Sequence, residues 1–378
     1  MSVEPYREIV FDEDGGGPPE QAGALAALAR RGVSDLVLFA HGRNGSPSGA
    51  TRLCSDFFAP FPGLLAPGTE AGYAGVVWPS TVFTGEPGPD YRALATVLPD
   101  REPVLERLTG LLASGTVASA EFGALLRTLA DVPGDGGPVP EFLASDPAEA
   151  CALFAEALAP GLRDGAERYR RGAREAVRQA AYHVLRRRAG YVGEHGLGPL
   201  LGELARAAPG LRVHLAGHGT GARLVAYALR GLPAGAGPVA SVTLFQGTFS
   251  HYAFAAELPH APGRAGALRG LQDRVRGPLV ACHSRHDTAL GVLYPLAARL
   301  ADGSGPPGAD DPRWGAIGHD GIRAVPGTAV RSLAAVLRGR MPRAGCVSVD
   351  VAEVVRSHGD VCRPELARVV VAASGSGR

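Results

Sequence analysis

The chain has 378 residues, 46% of them apolar, and a formal net charge of +1. That length supports a large core in one elaborated domain or two, and the neutral balance argues against a general nucleic-acid surface. All 38 basic residues are arginine, which excludes Schiff-base and phosphate-loop lysine chemistry, and the Ala, Gly, Pro and Arg richness fits the coding bias of a GC-rich genome.

Met1 to Arg7 lacks an apolar signal core and no run approaches membrane-spanning length, so the expectation is a soluble, cytoplasmic protein with no membrane partner. Tyr6 to Phe11 reads as a strand, then an acidic, glycine- and proline-rich loop follows. Gln21 to Arg31 is an alanine-rich helix that Gly32 stops. Asp35 to Ala40 is a continuous apolar run of the kind found in a buried parallel strand. It ends in His41-Gly42-Arg43-Asn44-Gly45, a turn that frees backbone N–H groups at the carboxyl edge of a sheet, where open α/β sheets bind ligands. Ala50 to Phe58 reads as a helix and Tyr73 to Trp78 as a strand closed by Pro79. This alternation implies right-handed crossovers and a mostly parallel sheet.

From Pro87 to Gly190 strand signals vanish. Helical segments follow one another at Pro103 to Leu112, Ser119 to Leu129, Pro147 to Leu158 and Arg163 to Arg187, with loops such as Pro133 to Pro138 between them. The expected organisation is therefore a core in two parts, 1–86 and 191–378, with 87–190 as a helical insertion or cap lying over the sheet. The last helix carries Arg168, Arg170, Arg171, Arg174, Arg178, Arg186, Arg187 and Arg188. A solvated face whose aliphatic stems cover apolar surface explains it most simply; an anionic ligand or partner is the alternative.

Gly198 to Ala208 is a helix leading into a strand at Leu211 to Ala216. Further strands are expected at Val239 to Phe245, Gly277 to Cys282 and Cys346 to Val351, with helices at Val292 to Leu300 and Pro364 to Ala373 and a long loop over 302–327. The five cysteines are scattered, odd in number and without C-x-x-C spacing, so neither zinc nor a disulfide framework is expected. No metal or other cofactor is implied.

The centre of the chain is Val213-His214-Leu215-Ala216-Gly217-His218-Gly219-Thr220-Gly221-Ala222-Arg223. A strand, a glycine-rich corner and a helix in that order form the frame of a nucleophile elbow, G-x-S-x-G, with Gly219 where that chemistry needs serine. The same letters, Gly217-x-Gly219-x-x-Ala222, also satisfy the dinucleotide fingerprint G-x-G-x-x-G/A. That second reading, a Rossmann-like binder at Gly217 to Ala222, needs an acidic residue about 20 positions on, and the next strand ends instead in Gln246-Gly247-Thr248.

Four landmarks lie in order at strand ends: His41-Gly42, the corner Gly217 to Gly221, Asp287 in His283-Ser284-Arg285-His286-Asp287, and His358 in Ser357-His358-Gly359-Asp360. Together they resemble the α/β-hydrolase superfamily over residues 33–85 and 190–373. Within it, the wording of Val37 to Asn44, Arg188 to Gly193, Gly217 to Arg223 and His283 to Asp287 is similar to a bacterial branch of large hydrolase-like proteins, whose elbow centre is usually serine. The resemblance implies an α/β-hydrolase fold with His358 as general base and Asp287 fixing its tautomer. It implies an oxyanion hole from the backbone N–H groups of Arg43 and Thr220. Asp287 also reads as a helix N-cap, and His358 as a plain loop histidine. His319 is a rival base; His41, Gly42 and His218 are pocket candidates, His218 more simply a hydrogen-bonded residue; Cys282 reads as strand core.

Glycine at the elbow keeps the turn and abolishes the alkoxide, so an acyl-enzyme is not expected. Neither Thr220 nor Ser284 is placed to replace it. The first expectation is a catalytically degenerate esterase- or lipase-like protein acting by binding or regulation, with a small acyl-type molecule as ligand. The second is an enzyme in which His358 and Asp287 activate a water or take a proton directly. The third is an ordinary serine hydrolase carrying an isolated change at Gly219.

Overall fold

The computed structural model describes residues 2–42, 47–80, 91, 94–95, 98–117, 119–131, 147–158, 165–237, 239–301 and 312–377. The chain divides into two compact units: residues 1–79, 188–291 and 315–378 in the first, and 80–187 and 292–314 in the second.

The first unit is built on one eight-stranded sheet. Its strands are β1 (Tyr6–Val10), β2 (Asp35–Ala40), β3 (Ala71–Val77), β4 (Arg212–His218), β5 (Ser241–Phe245), β6 (Pro278–His283), β7 (Ala329–Ser332) and β8 (Gly345–Asp350). The spatial order is β1-β3-β2-β4-β5-β6-β8-β7, and every neighbouring pair is parallel, not merely most of them. A parallel sheet needs both faces covered, which is why β2 is buried along its whole length. The period of two sorts its side chains cleanly. Leu36, Leu38 and Ala40 join one core with Leu215, Leu224 and Val225. Val37 and Phe39 join the other with Phe57, Phe58 and Phe61, where Phe39 stacks on Phe57 at 3.8 Å. Each buried leucine, valine or phenylalanine among them contributes about 1.5–3 kcal/mol on burial.

At the amino edge of the sheet Asp35 is buried, so its charge must be partnered. His214 Nε2 lies 2.9 Å from Asp35 Oδ1, and Arg212 donates to Oδ2 at 2.6 Å, as does Ser34 Oγ at 2.7 Å. Burial alone would raise the carboxyl, but these hydrogen bonds outweigh it and hold Asp35 at about 2. The other ring nitrogen of His214 is 2.8 Å from Ser241 Oγ, tying β2, β4 and β5 together.

The helix Thr220–Gly231 crosses the stretch Gly190–Gly198 at backbone contact. A Cβ on Gly231 would fall 1.8 Å from the carbonyl oxygen of Glu194, and one on Gly193 would fall 2.2 Å from that of Leu224. The backbone here widens into a π-helical turn, Val192–Leu197, between the helices Gly165–Tyr191 and Gly198–Ala207.

The second unit is helical, with Glu102–Ser114, Ala120–Ala130 and Pro147–Leu158 contributing Leu105, Leu108, Phe122, Leu126, Leu129 and Phe154 to its own core. It also takes the helix Tyr294–Leu300, which the sequence assigned to the second part of the sheet core. Leu296 and Ala297 are buried in the helical core. The upper boundary of the first core segment, Gly85 to Pro87, lies outside the described residues.

Two further departures concern residues 302–345. The expected long loop contains a short helix, Ile317–Asp320, because Ile317 is fully buried; residues 302–311 lie outside the described set. Strand β7 and the helix Leu333–Leu337 have no counterpart in the sequence reading. The last strand begins at Gly345 rather than Cys346, and β5 at Ser241, with Val239 making an isolated bridge to Val275 instead. Among the described residues no helix is long and apolar enough to cross a membrane, no group of three or more metal-binding side chains occurs, and the five cysteines are free.

A candidate active-site corner at the carboxyl edge of the sheet

Strand β4 runs between β2 and β5 and turns sharply at Gly219 into the helix Thr220–Gly231. Gly219 has φ +58° and ψ −117°, a backbone that a residue with a Cβ rarely adopts. Its N–H donates to Phe245 O at 2.9 Å and its carbonyl accepts from Thr248 N at 3.3 Å, so the corner is held by the end of β5. Gly221 lets helix and sheet meet, since a Cβ there would fall 2.1 Å from Ala40 O.

Two other strand ends bring side chains to this corner. Asp287 follows β6 and is fully buried; His358 follows β8 and its side chain is 10% exposed. His358 Nδ1 lies 2.6 Å from Asp287 Oδ2. The ring's far nitrogen points at the corner: His358 Nε2 is 3.1 Å from the position a Cβ on Gly219 would take. With Nδ1–H donated to the carboxylate, neutral His358 presents an unprotonated Nε2 there, the tautomer a general base needs. Asp287 is held below the ordinary carboxylate value: burial pushes it up, but the hydrogen bonds from His358, Leu290 N and Gln246 outweigh burial. Asp287 Oδ1 accepts from Leu290 N at 3.2 Å, so it serves as an N-cap and as the partner of His358 at once.

The loop that carries His358 is braced from three sides. Asp360 Oδ2 accepts from the backbone N–H groups of Arg356 and Ser357, each at 2.9 Å, while Oδ1 takes Arg363 at 2.6 Å. His218 Nε2 donates to the carbonyl of His358 at 2.7 Å. Gln246 Nε2 donates to Ser357 O at 2.9 Å and to Asp287 Oδ2 at 3.3 Å. Gln246 does this from a positive φ of 46°, and its Oε1 is buried with no hydrogen-bond partner among the described residues.

Comparison with family models, with curated proteins and with solved structures found no match.

The corner's geometry brings together Gly219, Asp287 and His358 as a set, with Thr220 beside them. As the first residue of its helix, Thr220 has no carbonyl one turn earlier in the helix for its N–H, the arrangement that binds developing negative charge. Its hydroxyl is committed elsewhere, donating to Gly42 O at 2.7 Å. Ser284 is likewise committed, to Val355 O at 2.8 Å. Arg43, the other expected oxyanion donor, lies outside the described residues. His41 is buried beside Trp78, with ring centroids 6.0 Å apart, and burial pushes it down to about 4.

His319 does not join the set. Its Nδ1 lies 2.8 Å from Asp320 Oδ1, while His251 Nδ1 lies 3.0 Å from Asp320 Oδ2. Burial would raise Asp320, yet the two imidazoles hold it well below the usual carboxylate range, and Asp320 in turn raises His319. Cys282 is buried strand core, its thiol pushed up by burial. The sequence reading missed Gln246 and Asp360 as supports. Gln246 follows the end of β5 directly, and a glutamine at that place was the available signal; Asp360 lies ten residues beyond the end of β8.

Proposed function

We propose that this chain is an α/β-hydrolase-type protein, related to serine esterases and lipases, that works without a covalent intermediate. The His358–Asp287 pair acts as a general base on a water, or on a proton of the bound molecule, held above Gly219. The carrying observation is the coupling of a 2.6 Å Nδ1 to Oδ2 contact with Nε2 turned to the vacant corner. A positioned base of this kind is worth about 10²–10⁴ in rate. The strand order and the sequence of corner, acid and histidine along the chain support the family reading. The Thr220 N–H supplies one donor for an oxyanion, and the helical unit corresponds to the insertion such folds carry.

The bracing by Gln246, Asp360 and His218 favours a working base over a binding role alone, because a protein that only binds gains nothing from an oriented imidazole. The dinucleotide reading loses its support at Gln246, whose amide is spent on Asp287 and Ser357 where a ribose-binding acid would stand.

The test is turnover of a panel of small esters and thioesters by wild type, His358→Ala and Asp287→Asn. The expected result is single-phase hydrolysis, without a burst, that disappears in His358→Ala and falls steeply in Asp287→Asn. Equal turnover in wild type and His358→Ala would overturn the general-base reading. Saturable ligand binding with no turnover of any ester would return the protein to the binding and regulatory reading.

A further inference from the structure

Charge is distributed unevenly in the first unit. Residues 321–349 contain five arginines and no carboxylate, in a chain whose total charge is only +1. Four of them, Arg331, Arg338, Arg340 and Arg343, lie on β7 and in the turn after the helix Leu333–Leu337. None of the four makes an ion pair among the described residues, whereas Arg212, Arg285 and Arg363 of the same unit each do.

Arg331 and Arg340 line an open pocket of about 520 Å³ whose remaining walls are Ala335, Met341 and Pro342. Arg331 is fixed in place: its Nε donates to Arg340 O at 3.4 Å and one terminal nitrogen donates to Val330 O at 2.9 Å. The turn itself is pinned by Gly339 N to Val336 O at 2.9 Å and Arg340 N to Ala335 O at 3.1 Å. Arg340 is exposed, with its guanidinium uncommitted. The adjoining helix Pro364–Ser374 adds Arg368, which donates to Leu337 O, and its one acid, Glu365, lies in the field of Arg363.

Two guanidinium groups over an apolar floor match a specific chemistry. The guanidinium of Arg340 presents a planar fork that binds phosphate in two parallel hydrogen bonds, and Arg331, held by its own backbone hydrogen bonds, adds a second positive charge beside it. We propose that this pocket binds the phosphate group of a small phosphorylated molecule whose apolar body rests on Met341 and Pro342. None of Gly219, Asp287 and His358 lines it, so it is a second site, independent of the corner.

The test uses phenyl phosphate as the soluble probe, followed by calorimetry or by phosphorus NMR, on the full chain. The expected result is saturable binding that weakens about tenfold or more in Arg340→Ala and in Arg331→Ala, in line with the loss of a charge-assisted fork. Arg206→Ala, an exposed arginine on the helix Gly198–Ala207, should bind as wild type. Arg340 is exposed and makes no side-chain hydrogen bond, so that variant tests the idea even where Arg331→Ala fails to fold. A parallel arm uses phosphatidylcholine vesicles with and without phosphatidic acid. Arg340-dependent retention on the acidic vesicles, together with binding of phenyl phosphate, would assign the phosphate to a lipid headgroup; binding of phenyl phosphate alone would assign it to a soluble metabolite. Absence of saturable phenyl phosphate binding, an equal loss in Arg206→Ala, or retention only on duplex DNA would each overturn the proposal.

Discussion

Gly219→Ser tests the corner most directly, because the structure fixes what a serine there would meet. Its backbone sits at φ +58°, a conformation that costs a residue with a Cβ about 1–3 kcal/mol. The new Cβ would lie 3.1 Å from His358 Nε2, so the ring has to retreat by a few tenths of an ångström. A serine–histidine hydrogen bond would return about 0.5–1.5 kcal/mol. The expected net is a loss of about 1–2 kcal/mol, read as a lower urea midpoint with unchanged slope. The variant should gain what the wild type lacks, labelling by a fluorophosphonate. That labelling should vanish again when His358→Ala is added, since a serine without its base is not a nucleophile. Clear stabilisation by Gly219→Ser would refute the strained-corner reasoning. Labelling of the wild type would show that another residue is the nucleophile.

Other consequences can be checked with less effort. Asp35→Asn should cost about 2 kcal/mol at neutral pH, because it removes a buried carboxylate whose value is held at about 2 against an ordinary 3.8. The depressed value makes that contribution present above the ordinary carboxylate range and lost as the pH falls from about 4 toward 2. Denaturation of wild type and variant should therefore converge in acid. The raised value of His319 has the opposite sign: its contribution is full below the ordinary histidine range and disappears as the pH rises through the raised value. The gap in urea midpoint between wild type and His319→Gln should therefore close in alkali. Gly231→Ala, whose Cβ would fall 1.8 Å from Glu194 O, should destabilise by at least about 1–3 kcal/mol, measured by thermal denaturation.

Much of this arrangement is readable from the sequence because buried parallel strands announce themselves. The runs around Leu38 and Val280 are continuous and apolar, the run around Leu215 is interrupted by His214, and each ends in a small or polar residue. Gly219, Asp287 and His358 were found by their order at strand ends, and the geometry joins them. Strand β7 escaped for a physical reason: it is four residues long, lies at the sheet edge, and leaves Val330 69% exposed, so no burial pattern marks it. Gln246 escaped because its work is done through tertiary hydrogen bonds, and Asp360 because its local bonds to Arg356, Ser357 and Arg363 close a loop; neither leaves a periodicity in the chain. The helix Tyr294–Leu300 packs Leu296 and Ala297 with the helical unit, and a short amphipathic helix looks alike in sequence whichever core its apolar face meets.

The register of β2 with β4 has a consequence for how the protein is made. Asp35 pairs with Arg212, a separation of 177 residues, and everything that forms the helical unit up to Arg187 is encoded between them. On the ribosome, β1, β2 and β3 emerge long before the strand that covers the free side of β2. For that interval an apolar edge, Leu36-Val37-Leu38-Phe39, stands unzipped, a template for pairing with another nascent chain. The pairing of β2 with β4 therefore has to wait for the insertion to be synthesised, and slower synthesis within that segment would lengthen the interval in which the β2 edge is open.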